Sequence, residues 1–249
     1  MNIEAFIIAW NEEETIAKTI RYYTSFCSKV TLFDNFSDDR TREIAEGLGA
    51  KVLMFGQKGI LSDKEYLKIK NHVWKTSTAD FVIVCDADEI LWHPDLIKVL
   101  EDEKRKGVTI FKTFGWNVFS ETIPDEWLEQ KSGYHDGNFS KQVLFSPELQ
   151  GINYHYGCHA CSPTGRIVYS EVTLTMFHYR NVGGVDRLIE RHKRYKKRLS
   201  PLNKELKLGH HYSQEEARKR NSWERSLGKS VEYSPLIVSS FSDDIQLNP

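Results

Sequence analysis

Three carboxylates stand within four positions at Asp86, Asp88 and Glu89, directly after the apolar run Phe81-Val82-Ile83-Val84-Cys85. Like charges crowded at the end of a buried segment repel one another and resist the loss of water, so the cluster costs stability unless something neutralises it. A divalent cation does this well. Mg²⁺ and Mn²⁺ prefer hard carboxylate oxygens and keep positions open for substrate phosphates. The plainer alternative is that Asp86 and Asp88 cap the turn into a helix starting near Pro94, but a cap needs one carboxylate and not three. On a fully extended strand, side chains two positions apart lie on one side about 7 Å apart. Asp86 and Asp88 could not then share one ion directly, so the chain is expected to turn here, or water to bridge one carboxylate.

The elements that must position these acids follow from the patterning. Phe81 to Cys85 reads as a strand buried on both faces of a parallel sheet, and open α/β sheets bind ligands at the carboxyl ends of their strands. Upstream, residues 3–10 form a first apolar strand. Asn11-Glu12-Glu13-Glu14 reads as an N-cap with acids in the first helical turn, opening a helix that runs to Phe26. Lys29 to Asp34 is the second strand, and Asp34-Asn35-Phe36-Ser37-Asp38-Asp39-Arg40-Thr41 a capping loop before a helix closed by Gly49. Residues 50–55 give a third strand and residues 63–77 a helix. This alternation predicts an α/β fold with a mostly parallel sheet flanked by helices. Neither Gly-x-Gly-x-x-Gly nor a Gly-Lys-Ser/Thr loop is present, so phosphates must be held by metal and scattered side chains.

Beyond a helix containing Leu96, Ile97 and Leu100 and a strand at 108–114, the pattern changes. Residues 115–166 are rich in Gly, turns and aromatics, which suits an acceptor pocket where ring faces stack on sugars, or equally a second small core. His155-Tyr156-Gly157-Cys158-His159-Ala160-Cys161 invites a zinc reading, but four ligands packed so closely strain the backbone, and an active-site loop is favoured. A strand at 172–177 ends in His178-Tyr179-Arg180. The basic helix 185–199 reads as a solvated face, with attraction to a diphosphate or anionic lipid as the functional alternative. A further helix near 214–227 precedes a polar tail expected to be poorly ordered. With 249 residues, no repeat and no low-complexity linker, one domain is the default.

The formal net charge of -1 offers no basic field for nucleic acid. Cys27, Cys85, Cys158 and Cys161 are few and irregularly spaced, which fits a reducing compartment. Met1-Asn2-Ile3-Glu4 lacks the features of a signal peptide and no apolar run reaches membrane-span length. We therefore expect a cytoplasmic protein, with binding to a membrane surface left open.

Taken in order, Ile7-Ile8-Ala9-Trp10-Asn11-Glu12-Glu13, the 34–41 loop and Cys85-Asp86-Ala87-Asp88-Glu89 resemble the signature of glycosyltransferase family 2 over roughly residues 1–110. The layout of the remainder is similar to a less-studied bacterial-type branch of such enzymes. The resemblance implies a GT-A fold, a nucleotide-sugar donor such as a UDP- or GDP-sugar, and Mn²⁺ or Mg²⁺. It divides the chain into a nucleotide-binding half (1–110), an acceptor and metal half (111–182) and a helical C-terminal segment (183–249). It implies that Ala9, Trp10, Asn11 and Glu12 line the nucleotide pocket and that Asp34 accepts from a base N–H, with a turn-capping role as its alternative. Asp86 would face ribose or metal and Asp88 would be the principal metal ligand. His178 resembles the late metal-ligating histidine of many GT-A enzymes, its alternative being a strand-end imidazole bonded to backbone. The family's acidic pair after the following strand is not found. Asp125-Glu126 is the closest substitute for the catalytic base, with Asp136 second.

The leading expectation is a metal-dependent inverting glycosyltransferase, its acceptor left open between a sugar or glycan, a lipid-linked group and a protein. A sugar-phosphate nucleotidyltransferase is disfavoured because the first strand lacks a Gly-rich, basic loop for a triphosphate. A non-catalytic sugar-nucleotide or glycan-binding module is the third reading, kept open by the missing acidic pair.

Overall fold

A computed structural model describes residues 1–129 and 132–232. The first half alternates β1 (Ile3–Ala9), α1 (Ile16–Thr24), β2 (Lys29–Asp34), α2 (Thr41–Gly47), β3 (Lys51–Met54), α3 (Asp63–His72) and β4 (Phe81–Asp86). The chain continues through β5 (Glu89–Trp92), α4 (Leu96–Arg105), β6 (Ile110–Ser120), β7 (Ser132–His135), β8 (Leu144–Phe145) and β9 (Tyr169–Val182). It ends in α5 (Gly184–Arg198), α6 (Pro201–Glu205), α7 (Glu216–Lys229) and β10 (Val231–Glu232). The sheet order is β10-β7-β6-β8-β4-β1-β2-β3, with β9 lying against β6 and carrying β5 on its other edge.

The first half is the expected α/β fold: β3, β2, β1 and β4 are parallel neighbours with helices around them. Apart from Glu4 and the terminal Asp86, β1 and β4 are apolar because both of their faces are covered. Ala5, Ile7, Ile83 and Cys85 enter one core, while Phe6, Ile8, Val82 and Val84 enter the other. β8 then adds antiparallel to β4, and β7 antiparallel to β6.

Two departures from the expected elements shape the site. The chain turns at Ala87–Asp88 and starts β5 at once, antiparallel to β9 with Glu89 opposite His178. Tyr179 N donates to the Asp88 carbonyl at 2.8 Å, which ties the turn to β9. Consequently β9 does not end at His178 but runs on to Val182. The acids at 12–14 also precede α1 rather than occupying its first turn. Glu12 is buried there, its carbonyl accepting from Thr15 N and Ile16 N, and Asn11 takes a positive φ of 53°. The expected disorder of the polar tail concerns residues 233–249, outside the described residues.

Candidate active site

A cavity of about 370 Å³ opens where β1 and β4 end, and β9, α5 and the 207–212 segment close over it. Ala9, Trp10, Glu12, Asp86, Asp88 and His178 all line it. Charge inside is matched pair by pair. Lys70, buried on α3, lies 2.8 Å from Asp86 Oδ1, and buried Lys141 contacts Glu89 and stands 3.8 Å from Asp86 Oδ2. Burial alone would raise the Glu89 pKa, but Lys141 and Lys70 outweigh it and hold it down at about 2. Buried Arg191, on α5, reaches Glu12 Oε1 at 2.5 Å and Asp88 Oδ2 at 3.5 Å.

His178 is positioned through a short chain of polar groups. A carboxylate can only accept, so the group that meets Asp136 Oδ2 at 3.0 Å must be the Asn117 side-chain NH₂. Asn117 Oδ1 then faces His178 Nδ1 at 2.9 Å, and an amide oxygen requires a donor there. His178 therefore carries its proton on Nδ1 and presents a lone pair on Nε2. That nitrogen faces Asp88 Oδ1 across 3.9 Å, too long for a hydrogen bond. Phe139 stacks on the imidazole with centroids 4.1 Å apart and fixes its plane. Burial pushes the His178 pKa down to about 4 against the pull of Asp88, so the ring is neutral at pH 7. Asp88 is held ionised against its own burial by His178 and Arg191; with the imidazole neutral, Arg191 is what does this at pH 7.

These groups fit a divalent cation in a limited way. Among the described residues no three His, Cys, Asp or Glu side chains converge as a metal cage. Two do face each other: the Nε2 lone pair and Asp88 Oδ1 are close enough to reach one small ion at about 2.1 Å each. Asp86 is instead engaged by lysine. A two-ligand set leaves most of the coordination to substrate oxygens and water, which suits Mg²⁺ or Mn²⁺.

The glycosyl transferase family 2 model matches residues 5–173 of this chain. The chain belongs to that family. An uncharacterized glycosyltransferase of Rickettsia typhi is 35% identical over 101 residues, 41% of this chain and 31% of that protein. One of Rickettsia conorii is 35% identical over the same length, covering 41% and 32%. The present chain thus aligns with less than a third of those relatives. Among solved structures, S. aureus TarS is similar over 78% of this chain and 40% of its own, at 13% identity and TM-score 0.49. Glucosyl-3-phosphoglycerate synthase of Mycobacterium tuberculosis, crystallised with Mn²⁺, UDP and glucosyl-3-phosphoglycerate, is similar over 46% and 44%, at 21% identity and TM-score 0.35.

Not every residue expected in the site of this family 2 chain reaches the cavity. Asp34 is fully buried, its two oxygens taken by Ser37 N and Ser37 Oγ, so it caps the turn after β2. Asn11 lines a neighbouring cleft with Trp10, Lys58 and Arg198, its side chain bonded to Asp38. Asp125 and Glu126 are exposed away from the cavity, Glu126 within 3.9 Å of Arg21. They sit there because the next residue, Trp127, is buried and stacks on Tyr179. Asp136 also stands outside, its Oδ1 accepting from Asn138 N and its Oδ2 from Asn117.

The 155–161 segment does not gather its His and Cys around one point. His155 meets Ser162 Oγ, His159 meets the Asn138 carbonyl and Cys161 meets Gln142, while Tyr156 to His159 line the cavity. Helix α5 is not simply a solvated basic face: Arg191 and Arg198 are buried while Arg194, Lys196 and Lys197 are exposed. Their spacing with Tyr195 (191, 195, 198) is a helical stripe, a signal available in the sequence. Lys70, Lys141 and Asn117 carried no such signal.

Proposed function

We propose that this glycosyltransferase moves a sugar from a nucleoside-diphosphate sugar, UDP- or GDP-linked, to a glycan or lipid-linked acceptor, with inversion at the anomeric carbon. The observation that carries this reading is the Asp88–His178 pair, a carboxylate and a lone pair held face to face at the end of β4. When bound there, Mg²⁺ or Mn²⁺ would supply Lewis-acid stabilisation of the departing diphosphate. Asp86, bridged to Lys70, is suited to accept from a ribose hydroxyl, and Ala9, Trp10 and Glu12 form the wall beside it. Lys70, Lys141 and Arg191 lie against these acids and offset their mutual repulsion, so the carboxylates are pre-organised rather than repelled apart. One sheet running from β1 to β10 supports treating the chain as one domain. Among the described residues no helix is long and apolar enough to cross a membrane.

A panel of UDP- and GDP-sugars, with Mn²⁺ or with EDTA, tests the reading. Slow metal-dependent sugar release, with the anomer of the first-formed product inverted by NMR, is the expected result. Pyrophosphate from a nucleoside triphosphate and a sugar phosphate would replace it with nucleotidyl transfer. Tight donor binding with no turnover would replace it with a binding module.

A further inference from the structure

Displacement by a hydroxyl nucleophile needs a group that takes its proton, and no carboxylate lining the cavity is free for that work among the described residues. Glu12 is held by Arg191, Asp86 by Lys70, and Asp88 faces His178 and Arg191. Asp63, the fourth, bonds Asn203 from the first turn of α3. The part of the wall lined by Phe139 and Lys141 offers an imidazole instead. His159 lines the cavity from the 155–161 segment, and one phenyl ring separates it from His178: Phe139 stacks on His178 and meets His159 edge-on at 5.6 Å.

The protonation of His159 follows from its partner. Its Nδ1 lies 2.8 Å from the Asn138 carbonyl, which can only accept, so Nδ1 carries the hydrogen and Nε2 the lone pair. Asn138 is in turn bonded through its backbone and side-chain nitrogens to Asp136 Oδ1, the residue that also orients Asn117 and His178. One carboxylate outside the cavity thus sets the geometry on both sides of Phe139.

We infer that His159 is the catalytic base of this glycosyltransferase, an imidazole in place of the missing carboxylate. The assignment rests on the transferase reading above. As Nε2 takes the acceptor O–H proton, that oxygen's lone pair closes on the anomeric carbon. The bond from that carbon to the diphosphate oxygen breaks, and its electron pair leaves on the diphosphate. Burial and the Lys141 ammonium lower the His159 pKa against the opposing Asn138 carbonyl, Glu89 and Asp86, and His211 also lines the cavity. The ring is therefore neutral at pH 7 and able to accept.

The test uses two probes in place of an acceptor, with the donor that the sugar-nucleotide panel selects: water, which must lose a proton, and azide, which has none to lose. His159→Gln should lower hydrolysis by about 100-fold or more. Azide should restore sugar release in the variant, forming the glycosyl azide. The melting temperature, and the Kd for the nucleoside diphosphate with Mn²⁺, should stay near those of the unmodified chain. Asp63→Asn is the rival variant and should keep most of its hydrolysis. Hydrolysis by His159→Gln within about threefold of normal, a loss azide cannot recover, or an azide-rescued loss in Asp63→Asn instead, would each overturn the assignment. Absence of donor turnover in the unmodified chain would overturn the transferase reading, and this assignment with it.

Discussion

Replacing Asn117 should weaken metal binding although Asn117 cannot touch the metal. Asn117→Leu keeps the branching of the side chain and removes both hydrogen bonds of the chain from Asp136 to His178. The imidazole loses its Nδ1 partner in a buried place, where an unmet polar group costs about 1–3 kcal/mol. Moving the proton to Nε2 relieves that cost, because Nε2–H points toward the Asp88 carboxylate 3.9 Å away and needs only a small shift to donate. Metal must then reverse the tautomer before it can bind. The expected penalty is about 10–100-fold in Mn²⁺ affinity, or about 1.4–2.8 kcal/mol. Long-range ¹H–¹⁵N correlation of the ring nitrogens reads the tautomer directly in the metal-free protein: Nδ1–H in the normal chain, Nε2–H in the variant. Mn²⁺ titration followed by EPR reads the affinity. Asp136→Asn should act in the same direction but less, since it frees the Asn117 amide to flip without removing its bond to His178. If Asn117→Leu binds Mn²⁺ within twofold of normal and leaves the proton on Nδ1, the orienting role of Asn117 is wrong.

Three further outcomes follow from the same geometry. Asp88→Asn should cut turnover by at least about 100-fold while the protein melts normally, because the main chain of Asp88 holds β9 and Glu12 still pairs Arg191. Near-normal activity in Mn²⁺-replete buffer would remove Asp88 from the site. Nucleoside diphosphate should raise the melting temperature with Mn²⁺, by the equivalent of about 2.7 kcal/mol at a hundredfold excess over Kd, and should not do so in EDTA. Equal shifts in both would point to a metal-free site. Lys141→Met should cost about 3–5 kcal/mol at pH 7, toward the lower end because Lys70 remains beside Glu89. In the normal chain Glu89 has a folded pKa of about 2 against 4.5 unfolded, so its contribution is full above 4.5 and fades as pH falls through 2. In the variant its pKa rises instead, so stability is regained as pH drops from 8 toward 5. A gap between variant and normal chain that does not narrow with acid would contradict this.

Much of the scaffold was legible because its signals are local. Phe81 to Cys85 has apolar residues facing both ways, which only a strand covered on both sides requires, and Lys29–Asp34 declared its ends by charge and turn residues. β5 was hidden for a non-local reason. Glu89 looks like part of an acidic turn until Lys141 is folded against it, and the pairing that makes Glu89–Trp92 a strand comes from residues 175–178. Asp34 shows the opposite failure: it sits where a base-binding acid belongs in the motif, yet Ser37, three residues on, satisfies both of its oxygens. The spacing Asp-x-x-Ser is a local turn signal, and it outweighs the motif position.

The acidic cluster itself resolves into three different environments, which is why counting its charges was only partly informative. Asp86 and Glu89 share two buried lysines, which offset the negative charge there without a metal. Asp88 points to the other side of the turn, where its neighbours are an arginine already paired with Glu12 and a neutral imidazole whose lone pair faces it. The turn at Ala87–Asp88 produces this separation. On a continuous strand Asp86 and Asp88 would project from one face into one field, whereas here Asp88 alone meets His178. On the proposed reading, a metal that arrives with a diphosphate would be recruited by one carboxylate and one imidazole, and its affinity should track the charge the substrate brings. That couples metal and donor binding: each should tighten the other by the same factor, because the cycle linking the two events is closed. Mn²⁺ affinities measured with and without saturating nucleoside diphosphate decide the point. Equal values would mean that the protein holds the ion by itself, against a site built of two ligands.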